Sequence, residues 1–196
     1  VEREVATGRQ RTFRPPGDMI MPPASYTNDG SGVAISIWRG NGADIHAFDL
    51  SSPASTRRLT NAPNNISQYP VYSPDGGQIA FMSDRIGRPA IYVMPAGGGP
   101  PTMLSPFISG QSSHYVSPTW SPIDSRVAFH GAWNRQMLGA FQILVADASR
   151  PGAQIEQITS RGNNEDPSWG PDGRNIVYTS VGDGQGGLYI IDAESQ

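Results

Sequence analysis

The chain has 196 residues, 23 of them Gly and 18 Pro, with 16% charged residues and a net charge of −3. One domain of that length buries about 70% of its unfolded surface. The turn-rich composition excludes long helices, and the lack of Cys excludes disulfides and thiolate metal sites or nucleophiles. All the positive charge is arginine, clustered only at Arg3, Arg9, Arg11 and Arg14, which argues against a nucleic-acid partner.

Residues 1–14 read as the tail of a third strand, an Ala-Thr-Gly turn and a fourth strand. They either close the last unit of the chain or end a preceding one. A first unit over about 22–60 opens on a worn copy of the repeat, PASYTNDG from Pro23, and continues with strands GVAISIW, DIHAFDL and TRRLT. The second unit, 68–105, is the clearest. YPVYS leads into SPDG, with Pro and Gly at the second and fourth positions of a type I turn. QIAFMSD returns, RIGRP loops, AIYVMPA is a third strand, and TMLS is a fourth after a Gly-Pro turn. The third unit, 116–159, repeats this order with RVAFHGA, FQILVAD and IEQIT, and the fourth, 166–193, with NIVYTSV and GLYIIDA.

The turn residues Asp29, Asp75, Asp124 and Asp172 are spaced 46, 49 and 48 residues apart. Second and third strands are apolar on both faces, as IAF and IYVM show, so each sheet must be covered on both sides. A fixed period with four strands per unit predicts an all-β fold, a β-propeller of four-stranded antiparallel blades occupying 1–196 as one domain. Four repeat units are visible, either as a closed four-bladed ring or as part of a larger propeller. A β-sandwich gives no reason for four near-copies.

The pattern P-x-[W/Y]-S-P-D-G, an apolar strand ending in Ser, IYVM, a Gly-rich turn and Leu-[Thr/Ser] resembles the propeller repeat of the TolB family, from Pro23 to Asp192. No α/β domain is visible ahead of the repeats. The resemblance implies a periplasmic or otherwise exported protein of the bacterial envelope, its signal peptide either removed or lying outside these residues. It implies a role as a scaffold or peripheral subunit of a membrane-associated complex. No apolar run reaches the ~18 residues of a membrane span.

Hairpin alternation puts the long loops 106–116 and 131–140 on one face with the unit-to-unit connections. Their Phe107, Ile108, His114, Tyr115, Trp133, Met137 and Leu138 have the aromatic and apolar content of a protein interface. The segments before the repeated Pro vary, ISQY, SHYV and NNED, and place Gln68, Tyr69, Glu165 and Asp166 at the mouth of the channel. Trp120 and Trp169 read as packing between blades, and His46 and His130 as packed within strands. No G-x-S-x-G elbow accompanies the three His, so no catalytic residue is assigned. Glu165 and Asp166 with Asn163 and Asn164 offer oxygen ligands for Ca²⁺, but their spacing matches no dedicated loop, so neither a metal nor a cofactor is assigned. The reading is a non-catalytic propeller that binds another protein, including a membrane-anchored or membrane-embedded assembly. The alternatives are the propeller of an enzyme, a lyase or the gating domain of a prolyl-oligopeptidase-type peptidase, and a glycan-binding module that stacks sugars on Trp133.

Overall fold

The computed structural model describes residues 2–3, 10–11, 19–52, 55–105, 113–132, 140–152, 154–182 and 185–194. They are all strand, turn or loop. Two short N-terminal strands, β1 (Glu2–Arg3) and β2 (Gln10–Arg11), pair with one another. Four antiparallel sheets follow, each a meander in chain order. The first holds β3 (Met19–Tyr26), β4 (Gly32–Arg39), β5 (Gly42–Asp49) and β6 (Thr56–Arg58). The second holds β7 (Ser67–Tyr72), β8 (Gln78–Ser83), β9 (Ala90–Pro95) and β10 (Thr102–Met103). In the third are β11 (His114–Trp120), β12 (Arg126–Ala132), β13 (Gln142–Asp147) and β14 (Glu156–Gln157). The fourth has three strands, β15 (Asn163–Trp169), β16 (Asn175–Gly182) and β17 (Gln185–Asp192).

The Asp of each first hairpin is a local clamp. In the second unit the Asp75 carboxylate accepts the Ser73 hydroxyl at 2.5 Å and the Gly77 N–H at 2.9 Å. Gly76 then takes φ +71°, a left-handed angle that glycine adopts without strain. Asp29–Gly30 and Asp172–Gly173 repeat the geometry with φ +69° and +65°.

Sheets stack in sequence because both faces of the second and third strands are apolar. Ala34, Ile45 and Leu59 of the first sheet meet Tyr72, Ile79, Phe81 and Tyr92 of the second. Ile91, Val93 and Leu104 on the other face of the second sheet meet Tyr115, Trp120 and Phe129 of the third. Ala128, Ile143, Val145 and Ile158 then meet Ile176 and Ala193 of the fourth, with Trp169 packed against them. Each fully buried aliphatic or aromatic side chain contributes about 1.5–3 kcal/mol. Polar stitches join neighbouring sheets: Arg57 donates to the Gly97 carbonyl at 2.6 Å, and Arg126 donates to the Gly173 carbonyl at 2.8 Å while lying 4.9 Å above the Trp169 ring.

One hydrogen-bond pair recurs at the outer edge. Thr60, Ser105 and Thr159 each accept, through the side-chain hydroxyl, the backbone N–H of Ile45, Ile91 and Ile143 at 2.9 Å. The preceding Leu59, Leu104 and Ile158 each donate N–H to the carbonyl of that same isoleucine at 2.8 Å. The Leu-[Thr/Ser] signature is therefore a clasp that ties the end of each unit to its third strand. In the third unit it widens into a buried network, where Thr159 donates to Gln142 at 2.9 Å and Asn164 donates to Gln142 at 3.0 Å.

Candidate functional site

The four first strands, β3, β7, β11 and β15, converge on one space of about 360 Å³. Each carries a bulge at the repeated proline, between Met21 and Ser25, Gln68 and Val71, Val116 and Thr119, and Glu165 and Ser168. Proline suits these positions because a bulge releases one residue from the ladder, where a missing N–H costs nothing. The residue before it pays with its backbone: Tyr69, Ser117 and Asp166 have φ of +56°, +52° and +50°. For a non-glycine residue such a conformation costs of order 1–3 kcal/mol, and strain of this kind concentrates at functional sites. Pro70, Pro118 and Pro167 are buried beneath them.

The bulges set three different side chains side by side on a constant frame. Ser117 donates its hydroxyl to the Asp166 carboxylate at 3.0 Å across the junction of the third and fourth sheets. Asp166, with a side chain 68% exposed, donates its backbone N–H to Nδ1 of His130 at 3.0 Å. This bond requires an unprotonated Nδ1, and burial of the imidazole accordingly lowers its pKa. Phe141 lies between His130 and His114, with ring centroids 5.2 and 5.6 Å away. Glu165 accepts the Asn163 amide at 2.6 Å and, through its carbonyl, the Thr179 hydroxyl at 3.1 Å. On the far side Gln68 reaches the Met21 sulfur at 3.2 Å, and Ser25 accepts the Tyr72 N–H at 3.2 Å.

Gln68, Tyr69, Glu165 and Asp166 therefore all lie on or beside the bulges that border one space. Ser117 and His130 join them. Ser117 was legible as the residue before Pro118, whereas nothing in the sequence marks the imidazole behind the bulge. The loop-face set needs a correction. Tyr115 is a core residue of β11: it is fully buried, packs edge-on to Phe129 at 5.8 Å, and burial pushes its hydroxyl up to about 12. His114 also belongs to β11 and is half-buried. Phe107, Ile108, Trp133, Met137 and Leu138 lie outside the described residues. Asn163 and Asn164 turn their amides inward, Asn163 accepting the Phe141 N–H at 2.7 Å, and so give no oxygen cage with Glu165 and Asp166. Among the described residues no cluster of three His, Asp or Glu is arranged to hold a metal.

A second cavity, of about 500 Å³, opens near the β4–β5 hairpin, lined by Arg39, Asp44, Arg58 and three asparagines. Asp44 there pairs with Arg58 at 2.5 Å and accepts the Thr60 hydroxyl at 2.9 Å.

A family model described as the TolB beta propeller domain matches residues 3–196. The Tol-Pal system protein TolB of Helicobacter pylori (strain ATCC 700392 / 26695) is 27% identical over 158 residues, which are 79% of this chain and 36% of that protein. The chain thus spans about a third of the length of the curated relatives it matches. Among solved structures, TolB from Acinetobacter baumannii superposes with a TM-score of 0.74 at 22% identity, covering 98% of this chain and 45% of that one. A Mycobacterium tuberculosis puromycin-hydrolyzing peptidase superposes with a TM-score of 0.71 at 14% identity, covering 94% of this chain and 29% of that one. At these identities the superpositions show the fold alone.

Proposed function

Because this chain belongs to the TolB beta propeller domain family, we propose that it is a non-catalytic, protein-binding part of a Tol–Pal-type system, working in the periplasm and engaging its partner at the channel mouth. Its four sheets are read as an arc of blades around that channel, with Leu188 and Ile190 exposed on the outward face of the fourth sheet. The observation that carries the reading is the trio of left-handed residues Tyr69, Ser117 and Asp166, which present different chemistry on one repeated scaffold. Asp166, exposed and beside Glu165, gives the mouth a negative character suited to a basic group on the partner surface. The likeness to a peptidase propeller brings no activity with it, and among the described residues the three His are placed by packing, His46 and His130 being buried and His114 in a strand.

The test is binding of the purified Tol–Pal components of the same organism, measured by calorimetry, to the wild-type chain and to an Asp166→Asn/Glu165→Gln variant. Losing charge-assisted hydrogen bonds predicts affinity about tenfold lower. Asn keeps the tolerance for left-handed φ, so the thermal midpoint should hold. Equal affinity of the two proteins for every component would overturn the reading.

A further inference from the structure

Of the three left-handed residues at the channel mouth, Asp166 alone leans on a group that can change its charge. Its backbone N–H crosses from the fourth sheet to Nδ1 of His130 on β12, at 3.0 Å. Register identifies what stands at that place behind the other two bulges. His130 lies opposite Ile143, as Met82 lies opposite Ile91 in the second sheet and Ser36 opposite Ile45 in the first. Because β8 packs on β11 and β4 on β7 as β12 packs on β15, Met82 backs the Ser117 bulge and Ser36 the Tyr69 bulge. A thioether takes up no proton, and the Ser36 hydroxyl has no hydrogen-bond partner. The Asp166 carboxylate completes the arrangement: it accepts the Ser117 hydroxyl at 3.0 Å and lies 3.9 Å from that same Nδ1. Its side chain is 68% exposed and that of His130 only 6%, so the imidazole acts on the mouth from beneath. Burial disfavours the imidazolium most and His114 of β11 adds to this, whereas Asp166 and Glu165 of β15 favour it. Phe141 packs on the ring, and β13 sets the uncharged Ile143 opposite.

We infer that a proton on His130 switches the channel mouth between two states. With Nδ1 unprotonated, the Asp166 N–H is held, the left-handed turn is anchored and the carboxylate stands outward beside Ser117. A proton taken from solvent onto Nδ1 turns that acceptor into a donor, which releases the Asp166 N–H. The acceptor for the new N–H is the Asp166 carboxylate, already 3.9 Å away. The carboxylate turns inward, leaves Ser117 and is neutralised by the imidazolium, so the mouth loses the negative charge it offers to a basic group. By reciprocity, a basic group bound at the mouth makes His130 harder to protonate. The consequence for binding rests on the channel-mouth reading; the switch itself rests only on His130, Asp166 and Ser117.

NMR of the isotopically labelled 196-residue chain between about pH 8 and pH 5 follows the His130 ring and the Asp166 amide with no partner present. A single midpoint below about 6.5, shared by the two, is the expected result, with the core amides of Val127 and Ile176 unmoved. His130→Asn supplies a side-chain acceptor that takes up no proton and should abolish the Asp166 step. Asp166→Asn keeps the N–H and tolerates the left-handed turn but removes the carboxylate, so it should lower the His130 midpoint. A Tol–Pal component that binds at the mouth should bind roughly tenfold more weakly near pH 5 than near pH 7.5, and His130→Asn should remove most of that difference. If no component binds, the reading of the mouth fails while the partner-free titration still decides the switch. An Asp166 amide that does not follow His130, a step that persists in His130→Asn or is shared by the core amides, or a His130 midpoint unchanged by Asp166→Asn overturns the assignment.

Discussion

Tyr69, Ser117 and Asp166 each adopt a left-handed backbone one position before a proline, and each is held there by its surroundings. Pro70, Pro118 and Pro167 are buried, and Asp166 is further anchored by His130 and Ser117. The buried imidazoles and the turn aspartates define how the protein should respond to acid. Burial lowers the pKa of His46, His114 and His130; for His130 the carboxylates of Asp166 and Glu165 oppose that shift and His114 adds to it. A His with a depressed native pKa leaves the unfolded chain binding more protons, so stability present above about 6.5 is lost as pH falls below that value. Asp29 and Asp172 are held down to about 2 by hydrogen bonds from their own turns, and Asp147 is lowered further by the Ser149 and Ser125 hydroxyls. Their contribution is present above about 4 and disappears as pH falls toward 2. Urea midpoints measured from pH 8 to 2 should therefore decline in two stages, the first between about 6.5 and 5; a flat profile down to pH 5 would contradict the assignment of neutral, packed imidazoles. The turn aspartates were legible in the sequence because they recur at a spacing of 46 to 49 residues between two apolar runs. The left-handed bulge was not, since neither Tyr nor Ser marks that conformation.

At the level of strands, the hairpins of the second unit fall within one or two residues of their sequence-predicted limits, because short apolar runs are bounded by turns rich in Gly, Pro and Asp. The first strand of the third unit starts earlier than the sequence suggests, and this shift moves Tyr115 from a loop into the core. The signal lay across the sheet. Gly131 pairs with Tyr115, and a Cβ there would collide with the edge of the Tyr115 ring and lie 3.0 Å from the His114 carbonyl. The glycine is the space into which the phenol folds. Gly131→Ala should thus cost several degrees of thermal midpoint by overpacking a site that cannot relax cheaply. A midpoint within one degree of wild type would show that Tyr115 repacks freely. The clasp residues were visible as a repeated Leu-[Thr/Ser], but their function required the register: only the pairing shows that each hydroxyl satisfies the N–H of the residue that also accepts the clasp.

Across the whole molecule, each sheet packs on the next in chain order, and the first three are each closed by hydrogen bonds within their own unit of 46 to 49 residues. Such an assembly stores its stability as a sum of unit and junction terms, not as one indivisible core. The repeat was the most legible property of the sequence, because four spaced copies survive local ambiguity; whether the arc closes was not, because closure depends on how the faces of the first and last sheets are covered, not on the repeat itself. The clasp has a mechanical consequence. Pulled from its two ends in an optical trap, the chain meets each Thr or Ser hydroxyl clasp in turn, and rupture of one frees a unit while its neighbour still holds. The extension record should show separate steps of roughly 150–175 Å of contour length each, before the folded span is subtracted.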